Sequence, residues 1–477
     1  MRKTKIIATL GPATESPDML RQMIQAGVDI FRLNMSHAAH DWVRSIVASI
    51  RDISSSLDSM TAILMDTQGP AIRTGDLKTS IDLTPGEIFE FTIRGARSVE
   101  HASVDVNYDG LVDDISVGDV VLVDNGVIRM RVLDKTENRI RCEVLTDGVL
   151  GSRRHINLPG VRVNLPALTK KDLADVALGC ELGVDFISLS FCRGPEDMVL
   201  LKNTIASHGS AARAIAKIEH QLAVNNIDSI IHESEGIMIA RGDLGIECPM
   251  EELPIIQRRI IKKCLRVDRP VIVATHMLES MISNPIPTRA EVTDVANAAF
   301  EQADAVMLSG ESTVGKYPVQ CVRALDTITS RIERSGGAGF ATDALLPDDR
   351  SKTIHSAVVL ANSLVGSKLV IFTRAGFMAR CTANLRPRAA PIYAFAPTLE
   401  VCRQLKQLWG VHPLLLPLDQ DPERTIEAAE ADLISRNLVA PGDRLVIVSD
   451  LLAGHTRFAS IQLRTVAATP PPADATP

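Results

Sequence analysis

The segments AIAKIE (214–219), GIMIARGDLGIE (236–247), RPVIVATHMLESM (269–281) and DAVMLSGES (304–312) decide the fold of this chain. Each contains a short apolar run without alternation, which is typical of strands buried on both faces of a parallel sheet. Each run also ends at polar residues. Functional side chains that repeatedly follow the carboxyl ends of parallel strands are typical of a (β/α) barrel.

Eight such runs can be counted, and most of the gaps between them have helical spacing, as in 17–26 and 43–57. The eight strand candidates are 4–9, 30–34, 62–66, 186–190, 214–217, 236–240, 271–274 and 305–308. Strand–helix alternation repeated in this way predicts an α/β fold with a closed (β/α)8 TIM barrel.

The gap between the third and fourth strand candidates spans about 120 residues, far more than a barrel crossover needs. Its middle part consists of runs in which apolar and polar residues nearly alternate, and Asn125-Gly126 between two of them is a strong hairpin signal. We therefore predict a small β-barrel lid domain over 70–160, inserted into a catalytic barrel formed by 1–69 and 161–338. A domain tethered twice at the mouth of a barrel is well placed to act as a lid.

Strand and helix candidates alternate again after residue 338. The strand candidates are KLVIF (368–372), PIYAF (391–395), VHPLLL (411–416) and DRLVIVSD (443–450). They predict a C-terminal α/β domain with an open parallel sheet over 339–467. The last ten residues, 468–477, are of low complexity, and we predict a disordered tail there.

Composition limits the class of protein. With 45% hydrophobic residues and a mean hydropathy of +0.11 the chain is expected to be globular, and its net charge of −7 argues against a general affinity for nucleic acid or anionic membranes. No apolar stretch reaches the roughly 20 residues needed to span a bilayer. The eight cysteines are scattered and form no C-x-x-C pair, which favours reduced thiols in a cytoplasmic enzyme.

The first candidate site combines Lys217, Glu219 and Asp243. Lys217 and Glu219 are two residues apart on a strand and so point the same way, and Asp243 follows the next strand. Two carboxylates that converge at a barrel mouth form a typical Mg²⁺ or Mn²⁺ site. The alternative is a structural Lys–Glu ion pair in the polar layer of the barrel, which these residues alone would favour.

Other strand exits add polar groups to the same mouth. They are Arg32, Asn34, Ser36 and His37 after the second strand, and Asp66, Thr67 and Arg73 after the third. Arginines there indicate recognition of phosphate or carboxylate. The glycines of ARGDLG permit a close approach of backbone amides to an anionic oxygen. Together these groups indicate metal-assisted chemistry on a small, doubly anionic substrate.

Several longer motifs then resemble pyruvate kinase. They are KTKIIATLGPAT (3–14), AGVDIFRLNMSHA (26–38), DTQGPAIRTG (66–75), ARGDLG (240–245) and PTRAEVTDVANA (287–298). The resemblance covers nearly the whole chain. It implies the glycolytic transfer of the phosphoryl group of phosphoenolpyruvate to ADP, which gives pyruvate and ATP, with Mg²⁺ or Mn²⁺ and commonly K⁺.

The resemblance also implies roles for individual residues. The implied catalytic residues are Lys217, Thr275 and Arg73. The implied substrate-binding residues are Arg32, Lys217, Gly242, Asp243 and Thr275. The implied nucleotide-binding residues are Asn34, His37, Arg73 and Arg154. The implied metal ligands are Glu219 and Asp243 for Mg²⁺ or Mn²⁺, and Asn34, Ser36, Asp66 and Thr67 for K⁺.

The chain departs from the family pattern at a few positions. Gln68 and Ala71 stand where K⁺-using relatives commonly carry Lys and Glu, and where K⁺-independent relatives tend to carry Gln and Lys, so we expect weak or partial K⁺ activation. His276 replaces the usual Gln after Thr275, and His220 replaces the Asn that commonly follows AKIE. None of these changes removes an implied catalytic group.

The resemblance further implies a homotetramer. It also implies a phosphorylated allosteric effector at Thr373-Arg374-Ala375-Gly376 of the C-terminal domain, the identity of which cannot be carried over. Two alternatives remain at this point. One is a non-catalytic paralogue that binds phosphoenolpyruvate or a sugar phosphate, and the other is a different barrel enzyme that uses phosphoenolpyruvate or enolate chemistry, such as a lyase.

Overall fold

The computed structural model describes residues 2–100, 102–161, 163–419, 421–453 and 456–467. The tail predicted for 468–477 lies outside the described residues. No helix in the described ranges is long and apolar enough to cross a membrane.

The chain begins with the first strands and helices of the barrel. These elements are β1 (Lys5–Thr9), α1 (Pro17–Ala26), β2 (Ile30–Asn34), α2 (His40–Ser56) and β3 (Ala62–Asp66). α1 starts where the Ser16 side chain accepts a hydrogen bond from the Met19 amide, with a proline in the first turn, and it ends at Gly27 with φ +110°. Local capping therefore accounts for both ends of this helix.

The next segment forms the lid. Its elements are β4 (Ile72–Arg73), β5 (Ile81–Leu83), β6 (Ile88–Thr92), β7 (Ser103–Asp105), α3 (Leu111–Asp114), β8 (Val120–Val123), β9 (Ile128–Lys135), β10 (Arg139–Val144), β11 (Gly148–Leu150) and β12 (His155–Asn157). Seven strands form one sheet in the order β4-β12-β8-β9-β10-β6-β7. A bridge between Thr74 and Val106 joins its two edges, so the sheet closes around an apolar core of its own.

The chain then returns to complete the barrel. Its elements are α4 (Lys170–Glu181), β13 (Phe186–Leu189), α5 (Pro195–Ser207), β14 (Arg213–Ile218), α6 (Gln221–Asn225), α7 (Ile227–Glu233), β15 (Gly236–Ala240), α8 (Arg241–Glu247), α9 (Leu253–Arg266), β16 (Val271–Ala274), α10 (Arg289–Phe300), β17 (Ala305–Leu308), α11 (Gly310–Thr313) and α12 (Pro318–Glu333). Short 3₁₀ helices occur at Met250–Glu252, Glu279–Ile282 and Phe340–Asp343.

Eight parallel strands close the barrel in the order β1-β17-β16-β15-β14-β13-β3-β2. The predicted TIM barrel is confirmed. Most strand bounds agree with the sequence patterns, and the largest difference is that β14 extends by one residue at each end, from Arg213 to Ile218. Nearly every strand residue is buried, as expected when helices cover the outside of a barrel and side chains fill the inside.

The C-terminal domain is an open five-stranded sheet in the order β20-β19-β18-β21-β22. Its elements are α13 (Asp349–Ser363), β18 (Lys368–Phe372), α14 (Phe377–Asn384), β19 (Ile392–Ala396), α15 (Leu399–Gln404), a 3₁₀ helix (Leu405–Gln407), β20 (Val411–Leu415), α16 (Pro422–Ser435), β21 (Arg444–Ala453) and β22 (Thr456–Thr465). The prediction of a purely parallel sheet was wrong in one respect, because β22 pairs antiparallel to β21 as an edge strand. Polar and apolar residues nearly alternate in β22, TRFASIQLRT, so it lacks the continuous apolar run by which the parallel strands were recognised.

The C-terminal domain docks at the amino-terminal ends of the barrel strands. Arg386 binds Asp304 at 2.9 Å just before β17, and Arg403 binds Asp185 at 2.7 Å just before β13. Since the lid follows the carboxyl end of β3, these contacts leave the opposite, carboxyl end of the barrel to the lid. That end is where barrel enzymes carry their active sites.

Candidate active site

Lys217 lies at the centre of the polar groups at the carboxyl end of the barrel. Its Nζ is 2.9 Å from Glu219 Oε1 and 3.2 Å from Asp66 Oδ2, and it donates a hydrogen bond to Ser190 Oγ at 2.7 Å. Burial by itself would lower the pKa of Lys217, but the carboxylates of Asp66 and Glu219 outweigh that effect and raise the pKa above its ordinary value. The ammonium group therefore keeps its charge at neutral pH.

Asp66 connects Lys217 to the arginine of the neighbouring strand. Its Oδ2 accepts a hydrogen bond from Arg32 Nε at 2.8 Å, and its Oδ1 accepts one from Ser188 Oγ at 2.6 Å. Burial by itself would raise the pKa of Asp66, but Lys217 and Arg32 lower it below its usual range. A fully buried carboxylate thus holds two cations side by side, which is the arrangement expected of a site for a dianion.

The predicted site for a divalent ion depends on Glu219 and Asp243. Glu219 is 2% exposed, and its Oε2 accepts a hydrogen bond from the Phe191 amide at 2.7 Å. Burial raises its pKa to about 7, and the nearby charge of Asp243 adds to the rise despite Lys217. Lys217 therefore does not fully neutralise the carboxylates of Glu219 and Asp243, and their hard oxygens fit Mg²⁺ or Mn²⁺.

The described residues contain no group of three or more His, Cys, Asp or Glu side chains arranged to hold a metal by themselves. The absence of such a group does not conflict with a Mg²⁺ site, because Mg²⁺ is usually bound through one or two carboxylates together with substrate oxygens. Glu219 and Asp243 match that pattern, with the remaining positions left to substrate and water.

Thr275 lies beside the first residues of α8. Its Oγ1 accepts a hydrogen bond from the Gly242 amide at 2.7 Å and donates one to the Ala274 carbonyl at 2.6 Å. Thr275 and His276 both have positive φ, +68° and +53°, a left-handed conformation that is unusual for a β-branched residue such as Thr. Arg241 holds this turn, because its Nη2 donates to the Thr275 carbonyl at 2.7 Å and its Nη1 pairs with Asp294 at 2.6 Å.

Two predicted phosphate and nucleotide contacts belong to the lid. Arg73 on β4 is exposed, and its Nη1 donates to the Arg153 carbonyl at 3.2 Å. Arg154 Nη1 is 3.3 Å from Oδ1 of Asp124, which lies in the turn between β8 and β9. Among the described residues neither guanidinium forms a tight buried ion pair, so both can turn toward an anion at the mouth.

Comparisons with known proteins agree with this geometry. The family model "Pyruvate kinase, barrel domain" matches residues 1–322, and "Pyruvate kinase, alpha/beta domain" matches residues 351–461. The chain belongs to the pyruvate kinase family. The family predicted from the sequence is therefore confirmed, and so is the function of a pyruvate kinase, while the non-catalytic paralogue is not favoured.

Individual pyruvate kinases align over almost the whole chain. Plastidial pyruvate kinase 2 of Arabidopsis thaliana is 39% identical over 94% of this chain and 78% of its own length. Pyruvate kinase 2 of Synechocystis is 38% identical over 95% and 77%, and the pyruvate kinase of a Staphylococcus aureus strain is 36% identical over 96% and 79%. A crystal structure of a pyruvate kinase from Cryptosporidium parvum superposes with a TM-score of 0.92 at 33% identity, over 98% of this chain and 96% of that one.

The residues predicted for K⁺ lie at or just after the carboxyl ends of two adjacent strands, β2 and β3, of the pyruvate kinase barrel. Asn34 and Asp66 are direct partners in the β2–β3 register, and the Asn34 side chain accepts a hydrogen bond from the Ser36 amide at 3.2 Å. Thr67 donates to the Ser188 carbonyl at 3.0 Å. His37 is exposed and makes only a backbone contact to Asn34 among the hydrogen bonds of the described residues. The roles of all four oxygen donors remain predictions.

Sequence reasoning missed the hydroxyl groups that organise this site. Ser188 on β13 and Ser190 just after it are buried, and they bind Asp66 and Lys217 respectively. Phe191, with φ +55°, turns its amide toward Glu219. The alternation of Ser with Leu in SLS (188–190) was the available signal, since it marks one face of a strand that points into the barrel.

Proposed function

We propose that the chain is an active, divalent-metal-dependent pyruvate kinase, in which phosphoenolpyruvate and ADP react at the carboxyl end of the barrel. The observation that supports this most strongly is the contact of Lys217 with both Glu219 and Asp66, beside Arg32. A phosphoryl group in transfer is a spread anion, and enzymes promote its transfer mainly by positioning and by positive charge.

Each residue at the barrel mouth has a separate role in the proposed transfer. Arg32 and Arg73 hold the phosphate, and Lys217 neutralises charge on the phosphoryl group as it passes between oxygens. The Asp243 amide receives the substrate carboxylate, and so does the Gly242 amide once it releases Thr275 Oγ1. Thr275 helps to deliver a proton to the methylene carbon of the enolate. The lid excludes water, which otherwise competes with ADP as the acceptor.

Glu219 and Asp243 are the residues that would hold Mg²⁺ or Mn²⁺. A divalent ion held there would supply positive charge that stabilises the negative charge of the phosphoryl group in transfer. Without such an ion, the negative charges of Glu219 and Asp243 would repel an anionic oxygen of the substrate.

The assay that tests this function couples pyruvate to lactate dehydrogenase in the presence of phosphoenolpyruvate, ADP and Mg²⁺, with ATP measured separately. We expect one ATP for each pyruvate and no turnover when the metal is chelated. Pyruvate formation without ATP, or turnover that is indifferent to chelation, would contradict the proposal.

We predict weak or partial K⁺ activation. Ala71 provides neither the Glu typical of K⁺-using relatives nor the Lys typical of K⁺-independent ones, while Asn34 and Asp66 remain direct partners in the β2–β3 register. At constant ionic strength, replacing tetramethylammonium with K⁺ is expected to raise kcat/KM by about 5-fold, the low end of coupling between sites. Ala71→Lys is expected to reduce that activation further, and an absolute K⁺ requirement in the unmodified enzyme would refute the prediction.

We also propose that the C-terminal domain binds a phosphorylated effector at residues 373–376. This loop leads from β18 into the amino-terminal end of α14, where backbone amides favour an anion. Thr373 Oγ1 accepts a hydrogen bond from the Gly376 amide at 3.0 Å, and Arg213 donates to the Ala375 carbonyl at 2.8 Å. The proposed assembly is the homotetramer that the family implies, and the proposed location is the cytoplasm, which the eight unpaired cysteines support.

A further inference from the structure

The lid touches the barrel at the short helix α8, which also carries Gly242 and Asp243. Asn157 Nδ2, on the last lid strand β12, donates a hydrogen bond to Glu247 Oε1 at 3.1 Å. The lid turn at Gly126 lies over the adjacent Ile246, since a Cβ at Gly126 would be 3.5 Å from Ile246 Cγ2. Two separate parts of the lid therefore rest on the helix that holds a proposed metal ligand.

The contact between Asn157 and Glu247 is buried. The two residues are 5% and 6% exposed, and they line a cavity of about 60 Å³ between lid and barrel. Glu247 Oε2 has no hydrogen-bond partner among the described residues, and the nearest ring nitrogen is His220 Nε2 at 3.5 Å. A buried carboxylate that loses its remaining donor is costly, so Glu247 strongly favours the position of the lid in which Asn157 reaches it.

The strand that carries Asn157 also fixes the lid arginines. In the β4–β12 pairing, His155 is opposite Arg73 and Ile156 is opposite Ile72. Arg154 directly precedes this strand. A shift of Asn157 away from Glu247 therefore moves Arg73 and Arg154 together, relative to the barrel mouth.

We propose that Glu247 is a positioning residue, and that its hydrogen bond to Asn157 seats the lid on α8 and so aligns Arg73 over the barrel mouth. The catalytic effect of this hydrogen bond rests on the proposed function, whereas the seating of the lid on α8 does not. When the lid is unseated, water replaces ADP as the acceptor. The water oxygen then bonds to phosphorus and loses a proton to solvent as the bond from phosphorus to the enol oxygen breaks, which releases inorganic phosphate and the enolate of pyruvate. The enolate takes up a proton from solvent at its methylene carbon to give pyruvate.

The catalytic test compares Asn157→Ala, Glu247→Ala, the double variant and Glu247→Gln at saturating phosphoenolpyruvate and Mg²⁺. Both alanine variants are expected to lose about 10- to 100-fold in kcat for ATP formation, as for a small misplacement of catalytic groups, and to raise the KM for ADP. Inorganic phosphate is expected to appear with pyruvate. The double variant is expected to be no worse than either single variant, and Glu247→Gln, whose amide oxygen still accepts from Asn157, is expected to recover most of the loss.

The control is Arg131→Ala, which removes an exposed lid residue on β9 that pairs only distantly with Glu143, at 3.9 Å. It is expected to behave like the unmodified enzyme in every measurement. Fully additive losses in the double variant, or an unchanged ratio of pyruvate to ATP in both alanine variants, would overturn the proposal.

Hydrogen exchange measured without substrates separates the seating from the function. Peptides that cover 155–161 and 241–248 are expected to exchange faster in Asn157→Ala and Glu247→Ala than in the unmodified enzyme or Arg131→Ala. Unchanged exchange would refute the seating whatever the activity. If exchange responds as expected but the unmodified enzyme makes no ATP, the proposed function fails while the seating stands.

Discussion

Replacing Lys217 with methionine is expected to abolish ATP formation while leaving metal-dependent exchange of the pyruvate methyl protons. Lys217 Nζ lies among Asp66, Ser190 and Glu219, on the proposed path of the phosphoryl group. Thr275, which we assign to proton delivery, lies instead against the Gly242 amide. Loss of a positive charge that acts on a phosphoryl group in transfer typically costs about 10³-fold or more in kcat.

The two reactions are measured separately, ATP by a coupled assay and methyl exchange by proton NMR in deuterated water. Lys202→Met is the matched control, since Lys202 lies on the outer helix α5 and pairs with Glu233 at 2.7 Å, away from the site. It is expected to retain both reactions. ATP formation at the unmodified rate in Lys217→Met, or the loss of proton exchange together with transfer, would be incompatible with the roles assigned here.

Replacing Asp66 with asparagine is expected to destabilise the barrel as well as inactivate it. Asp66 is fully buried and neutralises both Arg32 and Lys217, so the isosteric amide leaves two cations without their common partner. Removal of one member of a buried ion pair typically lowers the free energy of unfolding by about 3–5 kcal/mol. Urea denaturation followed by the fluorescence of Trp42 and Trp409 measures this change as a lower midpoint.

The control for Asp66→Asn is Glu181→Gln. Glu181 lies on the outer helix α4 and pairs with Arg44 in an exposed ion pair, which contributes little in water. Its urea midpoint is expected to remain that of the unmodified protein. A midpoint for Asp66→Asn as high as that of this control would mean that Asp66 is not needed to balance the two cations.

The order of the barrel was predictable from local sequence, because every strand that lines it is a short apolar run between turn or helix signals. The same reasoning predicted that Lys217 and Glu219 lie close together, since residues two apart on a strand face the same side. The lid was predictable from the length of the gap after Asp66 and from the hairpin signal at Asn125-Gly126.

Three features could not be predicted, because they depend on contacts between distant segments. The left-handed turn at Thr275 and His276 is held by Arg241 from the preceding strand exit, and non-glycine residues give no local signal for that conformation. The hydrogen bond from Asn157 to Glu247 joins residues 90 positions apart. Within the part of the chain that the structure describes, the antiparallel edge strand β22 pairs with β21 alone, so its pattern carries the weak signal of an exposed edge.

The most direct test of the account is a titration with Mn²⁺, followed by electron paramagnetic resonance in the presence of phosphoenolpyruvate. If Glu219 and Asp243 hold the divalent ion beside Lys217, Glu219→Gln is expected to weaken Mn²⁺ binding by more than about 10-fold, while Glu181→Gln binds like the unmodified protein. Equal Mn²⁺ affinity in Glu219→Gln and the unmodified protein would contradict a divalent-metal site at the open end of the barrel.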